Sequence, residues 1–201
     1  MDVLEVNHGV GRIGGKVRIR SAMPCAGPNV MSKYNIQKFA VIGAGNMGSG
    51  IAKKIATEGF SCVLVDLDDE KVERGMNIIR DLLAQGVERK VFSPKQVEQI
   101  LANLHGTSDW SELADVDLVV EAVFENLDVK RSVFKRLSEN CKETAILGTN
   151  TSSFYVKDLA SAVTNPERLV GLHYFFHPAK NRFVEVIGHA GTSDEAYLAA
   201  W

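Results

Sequence analysis

Apolar runs alternate with helix-period patterns along the chain from Lys38 onward. The first run, residues 39–42, is continuously apolar and stops at a glycine, as a buried parallel strand does. The same pattern predicts strands at 62–65, 118–120, 145–147, 169–172 and 183–187. Apolar residues at helical spacing predict helices across 47–55, 72–83, 97–104 and 129–137, and a further helix from 194. Strands that alternate with helices predict an α/β fold with a doubly wound, mostly parallel sheet.

Two of the predicted helices carry boundary signals. Ser93 is followed by Pro94 and, three positions after the serine, by Gln96, which together form a capping box with proline at the first helical position. Gly59 stands just past the end of the first helix, where glycine is favoured because it adopts left-handed backbone angles. We therefore expect one helix to start at residue 94 and the first helix to end shortly before Gly59.

Residues 1–36 differ from the rest of the chain. They contain several glycines, prolines and arginines, with few apolar residues in any period, and they lack the apolar stretch of a secretory signal. We favour an extension upstream of a natural start at Met31, with an organelle transit peptide as the alternative. The prediction is a poorly ordered extension at 1–36 and one domain at 37–201, in the cytoplasm, or in the mitochondrial matrix if the extension is a transit peptide.

Composition narrows the class of protein. The chain has 201 residues, of which 45% are hydrophobic, and a formal net charge of -2, as in ordinary globular domains. This charge gives no reason to expect nucleic acid or a membrane surface as a partner. No apolar run approaches the roughly 18 residues of a membrane span. The cysteines are far apart, odd in number and without metal-ligand spacing, so we expect no metal site and a reducing compartment.

A glycine-rich loop follows the first predicted strand and opens the first predicted helix. Starting at Gly43 it reads Gly-Ala-Gly-Asn-Met-Gly, the G-x-G-x-x-G fingerprint of dinucleotide-binding Rossmann-type folds. Gly43 would allow the tight turn, Gly45 the close approach of a pyrophosphate, and Gly48 the packing of helix on strand. The N–H groups at Asn46 and Met47 would face the phosphates. The alternative is a glycine loop that serves only as a turn.

Asp66 stands at the end of the second predicted strand, about 20 residues beyond the glycines. A carboxylate there accepts hydrogen bonds from the ribose hydroxyls of NAD and repels the additional phosphate of NADP. We therefore expect NAD as the cofactor. FAD is not excluded by the fingerprint and the aspartate alone, and Asp66 as a helix cap is the structural alternative.

Two polar residues interrupt apolar strands. His173 follows the run at 169–172, at a carboxyl strand end where ligands bind in open α/β sheets. Glu185 lies within the run at 183–187 and would need a partner if its face were buried. If the two side chains pair, the carboxylate fixes the imidazole tautomer and the other ring nitrogen becomes a general base. A structural histidine and a solvent-facing strand are the alternatives.

A third polar cluster, Thr-Asn-Thr-Ser-Ser at 149–153, follows the strand predicted at 145–147. It contains Asn150 and Ser152. Hydroxyls and an amide at a strand end can act on a substrate or can simply cap the segment that follows. The residues alone leave both interpretations open.

From about Lys38 to its end, the chain resembles the 3-hydroxyacyl-CoA dehydrogenases of fatty acid oxidation, including 3-hydroxybutyryl-CoA dehydrogenase. The segments that carry the resemblance are 42–48, 117–122 with Glu125 and Asn126, 149–153, 171–173 and 184–187. The resemblance implies NAD-dependent oxidation of an (S)-3-hydroxyacyl-CoA to a 3-oxoacyl-CoA, and the reverse reaction.

The resemblance also implies residue roles. His173 corresponds to the general base and Glu185 to the carboxylate that orients it. Ser152 resembles the serine that bonds the substrate's 3-oxygen, and Asn150 would support the same cleft. Asp66 matches the ribose ligand.

Two further positions, Glu125 and Lys130, match positions of the family that line the cofactor or active-site cleft. They are therefore cofactor-binding candidates that rest on the resemblance.

The chain departs from the family in two ways. After the histidine the family commonly has Phe-Phe-Asn-Pro, whereas this chain reads Tyr-Phe-Phe-His-Pro at 174–178 and is basic at 179–182. This chain therefore lacks the asparagine from which the family contacts the nicotinamide side, and the basic segment points to a different acyl or CoA preference. The second departure is that the family's helical C-terminal domain is absent after Trp201. We expect a truncated enzyme that turns over little by itself and dimerises only with that domain.

Two further functions are compatible with parts of the sequence. The first is an NAD-binding module that kept the fold without catalysis, which the absent domain motivates. The second is another two-domain NAD dehydrogenase, acting for example on 6-phosphogluconate or a nucleotide sugar. The second is disfavoured because those enzymes use a lysine or cysteine at other positions.

Overall fold

The alternating pattern folds into one seven-stranded sheet with helices on both faces. The computed structural model describes residues 35–181 and 183–201. The strands are β1 (Lys38–Ile42), β2 (Ser61–Val65), β3 (Leu104–Thr107), β4 (Leu118–Glu121), β5 (Ile146–Thr149), β6 (Leu169–Tyr174) and β7 (Val184–Ile187). The helices are α1 (Asn46–Thr57), α2 (Asp69–Glu88), α3 (Pro94–Ala102), α4 (Leu127–Asn140), α5 (Lys157–Ala160) and α6 (Asp194–Ala200). Short 3-10 helices span Trp110–Leu113 and Pro166–Arg168.

The strand order across the sheet is β3-β2-β1-β4-β5-β6-β7. Strands β1 to β6 run parallel, and β7 runs antiparallel to β6. The chain moves outward from β1 in one direction and then crosses back to start again at β4, on the other side of β1. This doubly wound arrangement confirms the predicted fold class, and it creates a switch point between β1 and β4.

Two apolar layers hold the helices on the sheet. On one face Val41 and Leu64 pack with residues of α1, α2, α3 and α6. On the other face Ala40 and Val63 pack with α4, α5 and the first 3-10 helix, around the fully buried ring of Phe134. Because consecutive strand residues point to opposite faces, a strand covered on both sides is apolar throughout. This is why the strands read as continuous apolar runs.

The structure corrects three element boundaries. The helix predicted to include Leu104 ends at Ala102, and Leu104 begins β3, an edge strand that was not predicted. Leu-His-Gly-Thr is a weak strand signal, and Gly106 is required there because a Cβ would come within 2.7 Å of Val72 on α2. The strand predicted at 145–147 starts one residue later, since the Ala145 N–H closes a turn onto the Lys142 carbonyl.

The strand predicted at 183–187 also starts one residue late. Phe183 lies in the preceding loop, where its N–H is held by the Asn181 side chain.

The predicted helix signals have their expected geometry. The Ser93 hydroxyl accepts the Gln96 N–H, the Gln96 side chain accepts the Ser93 N–H, and Pro94 is the first helical residue. Gly59 has a φ of 92° beyond the end of α1, in the left-handed region that favours glycine.

The described residues cover only part of the predicted domain organisation. The predicted extension at 1–36 lies almost entirely outside the described residues, so its order stays a prediction. None of the helices described has the length and apolar character that a bilayer crossing requires. In the described ranges, no three His, Cys, Asp or Glu side chains are grouped so as to hold a metal ion.

The side chain of Asp117 clamps the amino end of the sheet. It accepts the N–H groups of Gln37 and Lys38 at 2.8 and 2.9 Å, and it pairs with the Lys142 ammonium. Burial by itself raises the pKa of the Asp117 carboxyl, but the hydrogen bonds from Lys142 and from the two backbone groups outweigh burial and leave the pKa lowered.

We expect Asp117→Asn to lower the free energy of unfolding by about 1–3 kcal/mol near neutral pH. Because the folded pKa is depressed, the carboxylate's contribution is present above its unfolded pKa of about 3.9 and is lost as the pH falls through the folded value. Urea unfolding of the wild type and of Asp117→Asn, from neutral pH down to about pH 3, measures how the stability difference between the two narrows. Asp115→Asn, at an exposed ion pair with Lys38, is the matched control and should change stability by less than about 1 kcal/mol. A stability difference that does not narrow as the pH falls would contradict the assignment.

Candidate functional site

The chemistry-bearing residues collect along the carboxyl edge of the parallel strands. In a doubly wound sheet, the loops after strands on either side of the switch point diverge and leave a crevice there. The glycine loop follows β1, Asp66 follows β2, Glu125 follows β4 and Asn150 follows β5. The fold therefore brings together residues that are far apart in sequence.

Backbone contacts require two glycines of the loop. Gly43 has a φ of 105°, and a Cβ on it would lie 2.6 Å from the Ala122 carbonyl oxygen after β4. A Cβ on Gly48 would lie 1.7 Å from the Gly43 carbonyl oxygen. The opposing atoms belong to the backbone and cannot move aside as a flexible side chain would. These contacts agree with a tight turn at Gly43 and close helix–strand packing at Gly48.

The middle of the loop is open. A Cβ on Gly45 would meet no atom within 4 Å, and Gly45 and Asn46 are exposed. Gly45 is the N-cap of α1, and no side chain caps this helix. The first N–H groups of the helix, at Asn46, Met47 and Gly48, therefore remain available to an anion. This bare helix start fits the pyrophosphate of a dinucleotide.

Asp66 supports the loop from the neighbouring strand. One carboxylate oxygen accepts the Ala44 N–H at 2.6 Å, and the other accepts the Leu67 N–H at 2.7 Å. Asp66 does not cap α2, because Asp68 does so by accepting the Lys71 N–H. Each oxygen of Asp66 keeps a further lone pair, so a ribose hydroxyl can still donate to it.

His173 and Glu185 face each other across the antiparallel pair of strands β6 and β7. They are direct partners in the register, and His173 Nδ1 lies 2.8 Å from Glu185 Oε2. The imidazole is 20% exposed and the carboxylate 44% exposed. In the neutral tautomer that donates its Nδ1 proton to the carboxylate, Nε2 carries no proton and can accept one. The pairing suggested by the sequence is thus present, and it occurs at a partly solvated edge.

An aromatic stack that was not predicted lies beside the pair. The ring of Phe175 is 4.6 Å from the His173 ring, and the Phe183 ring is 5.3 Å from Phe175. Phe183 and Phe176, which lies earlier in the same loop, are largely exposed, as are Phe124 after β4 and Tyr155 after β5. In the sequence, the signal for this cluster was the presence of aromatic residues shortly after the predicted strands.

Asn150 joins the loop after β5 to strand β6. Its side-chain oxygen accepts the Tyr174 N–H at 2.9 Å, and its own N–H donates to the Glu121 carbonyl. Ser152, two residues further on, is exposed at the same edge. The structure therefore places Asn150 as a support between strands and leaves the Ser152 hydroxyl accessible, and their roles in catalysis stay predictions.

Lys130 is fully buried, in contrast to the other polar side chains among the site candidates. Its ammonium lies 2.8 Å from Glu121 Oε1 and 3.2 Å from Glu125 Oε2. Glu121, also fully buried, was missed, although a glutamate that ends the run Leu-Val-Val was a visible signal. Burial raises the pKa of the Glu121 carboxyl, against the lowering effects of Lys130 and of the Thr149 and Val123 donors. A contact of Lys130 or Glu125 with the cofactor remains a prediction.

The loop at 175–181, where the sequence departs from the family it resembles, packs over the start of α1. Pro178 is buried, and a Cβ on Gly50 would lie 2.7 Å from its ring. His177 Nδ1 is buried without a hydrogen-bond partner, and Lys180 is exposed. This loop therefore runs from the His173 strand to the glycine-loop helix.

Comparisons with known proteins agree with this geometry. The family described as "3-hydroxyacyl-CoA dehydrogenase, NAD binding domain" matches residues 38–200. The alpha subunit of the fatty acid oxidation complex from a Psychrobacter species is 37% identical over 163 residues, which cover 81% of this chain and 23% of the relative. A probable 3-hydroxyacyl-CoA dehydrogenase of Caenorhabditis elegans is 35% identical, with 81% of this chain and 56% of the relative covered.

Solved structures give the same result. The (S)-3-hydroxybutyryl-CoA dehydrogenase of Ralstonia eutropha superposes with a TM-score of 0.78 at 31% identity, covering 81% of this chain and 57% of that one. The 3-hydroxybutyryl-CoA dehydrogenase of Escherichia coli gives a TM-score of 0.78 at 37% identity, covering 81% and 34%. The chain thus spans between about a quarter and somewhat more than half of the length of these proteins.

The fold and the site define a dinucleotide-binding Rossmann domain. The chain belongs to the NAD-binding domain family of the 3-hydroxyacyl-CoA dehydrogenases. NAD is accordingly its cofactor, as the fingerprint and Asp66 predicted.

The roles assigned to Gly45 and Gly48 are separable by mutation. We expect Gly45→Ala to keep the melting temperature and to weaken NADH binding at least about tenfold, because the new methyl group occupies the surface a pyrophosphate approaches. Gly48→Ala should instead lower the stability by about 1–3 kcal/mol, because its methyl group overlaps a backbone carbonyl. Thermal unfolding and NADH fluorescence titration of both variants measure the contrast. Equal affinity in Gly45→Ala would argue against phosphate binding at the loop.

Asp66→Asn tests the carboxylate. An amide cannot accept both the Ala44 and the Leu67 N–H, and it offers fewer acceptors to a ribose, so NAD binding should weaken by about 1–3 kcal/mol. Calorimetric titration with NAD measures the loss, and Asp128→Asn, at an exposed position in α4, is the control. An unchanged affinity would show that the carboxylate contributes nothing to cofactor binding.

Proposed function

We propose that the chain is the NAD-binding part of an enzyme that oxidises (S)-3-hydroxyacyl-CoA to 3-oxoacyl-CoA and catalyses the reverse reaction. The observation that carries this proposal is the His173–Glu185 pair, held at 2.8 Å at the carboxyl edge of the sheet that bears the glycine loop. Binding of a dinucleotide alone has no use for such a pair, whereas oxidation of an alcohol needs a base to remove the hydroxyl proton.

The chain's own residues perform the proton transfer. Nε2 of His173 takes the proton from the 3-hydroxyl of the substrate, and the imidazolium that results is stabilised by the Glu185 carboxylate. Bound NAD supplies the acceptor for the hydride that leaves the same carbon. In the reverse direction His173 returns the proton to the 3-oxygen. General acid–base catalysis of this kind contributes roughly 10²- to 10⁴-fold in rate.

Ser152 and Asn150 provide the polar surroundings of the 3-oxygen in this proposal. The exposed hydroxyl of Ser152 donates to that oxygen, and Asn150 holds the segment against β6 through the Tyr174 N–H. The exposed aromatic side chains at this edge would give an acyl chain an apolar contact surface.

A second function, binding of NAD without turnover, is favoured by the openness of the site. Ser152 is exposed and Glu185 is 44% exposed. Dehydrogenation depends on exact placement and on the exclusion of water, which an open edge does not provide. We therefore expect little turnover from residues 1–201 alone, and more from any longer form that adds a covering domain.

His173→Gln separates the two functions. It should lower the rate at least about 100-fold, because the base is lost, while NADH binding stays within about twofold. The assay is NADH formation from (S)-3-hydroxybutyryl-CoA, with the 201-residue chain and with any native form that continues beyond Trp201.

His105→Gln is the control, since His105 lies on β3 at the opposite side of the sheet. Substantial activity in His173→Gln would remove the base assignment. Binding of NADH with no turnover in any form would instead favour the non-catalytic module.

A further inference from the structure

A buried ammonium joins three segments at the carboxyl ends of β4 and β5. Lys130, in the first turn of α4, places Nζ 2.8 Å from Glu121, 3.2 Å from Glu125 and 3.4 Å from the Asn150 carbonyl oxygen. Glu121 ends β4, Glu125 lies in the loop after β4, and Asn150 follows β5. A single positive charge thus contacts both loops of the candidate site.

This arrangement is costly unless all its contacts are made. Lys130 and Glu121 have no exposed side-chain surface, and a buried charge without partners is strongly destabilising. Glu121 is satisfied on both oxygens, by Lys130 and the Val123 N–H on one and by the Thr149 hydroxyl on the other. The buried pair is therefore fixed in one geometry.

The contacts of Lys130 continue through Glu125 to the 150–154 segment, which contains Ser152. Glu125 pairs with Lys130 through one oxygen and accepts the Thr151 hydroxyl with the other. The same hydroxyl oxygen accepts the N–H groups of Ser153 and Phe154 at 3.2 and 3.1 Å. Ser152 lies between these anchored residues, so the position of its backbone follows from the chain of contacts that starts at Lys130.

We propose that Lys130 is a positioning residue, whose ammonium holds the loop after β4 against the 150–154 segment and thereby fixes Ser152. The link to catalysis rests on the proposed function, but the link to the geometry of the segment does not. Lys130 acts through Glu125 and Asn150 and, being fully buried, does not itself reach a substrate.

The experiment replaces the charge without leaving its partner unpaired. Lys130→Met alone would strand the buried Glu121 carboxylate and could prevent folding, so the main variant is the Glu121→Gln/Lys130→Met double mutant. Glu125→Ala is the second variant, because it leaves the buried pair intact and breaks the connection at its outer end. Lys135→Met, the same substitution at an exposed position of α4, is the matched control.

The main readout is amide hydrogen exchange, which needs neither substrate nor turnover. We expect exchange at Ser153 and Phe154 to accelerate about tenfold or more in both variants, with exchange in β1 unchanged and with Lys135→Met like the wild type. In the longest native form of the protein that oxidises 3-hydroxybutyryl-CoA, kcat for this substrate should fall about tenfold or more, because a displaced Ser152 no longer meets the 3-oxygen.

The outcomes separate this proposal from the proposed function. Unchanged exchange at Ser153 and Phe154 in both variants, with the fold intact, would overturn the positioning role. Accelerated exchange in a protein that turns over no hydroxyacyl-CoA would support the positioning role and count against the dehydrogenase.

Discussion

The antiparallel pairing of β7 with β6 is the constraint on which the candidate site depends. In the antiparallel register of β7 and β6, Glu185 stands directly opposite His173. The 2.8 Å contact between the two side chains fixes the orientation of the imidazole and leaves Nε2 directed away from the carboxylate. The proposed base is thereby placed at the carboxyl edge, along the sheet from the glycine loop at β1. The pair therefore depends on how the two strands align, and not on a motif within one strand.

Several polar side chains at this edge have a hydrogen-bond partner from a distant segment of the chain. Asp66 accepts the N–H of Ala44, Asn150 accepts the N–H of Tyr174, and the Glu121–Lys130 pair connects the loops after β4 and β5. Buried polar groups that are fully satisfied make a structure specific rather than merely stable. The same contacts that satisfy these groups also set the distances between the loops, so stability and site geometry share one network.

The regular part of the fold was predictable because its signals are local. The strands covered on both faces read as continuous apolar runs, and the Ser93 capping box and Gly59 gave helix ends. Strand β3 was missed because an edge strand with one neighbour needs no apolar run, and Gly106 is dictated by α2 packing above it. Within the site, the glycine fingerprint and Asp66 predicted NAD but left FAD open, and the family match supports NAD.

The sequence by itself determined six of the seven strands described, the glycine loop and the class of cofactor, since each depends on residues within one strand–loop–helix unit. It marked His173 and Glu185 as unusual but left their pairing open, because the distance between them depends on how two strands meet. Only the tertiary structure decided that Lys130 is enclosed with Glu121 rather than exposed to the crevice. The physical reason is that burial and ion pairing are properties of surroundings assembled from distant segments, and no single segment contains that information.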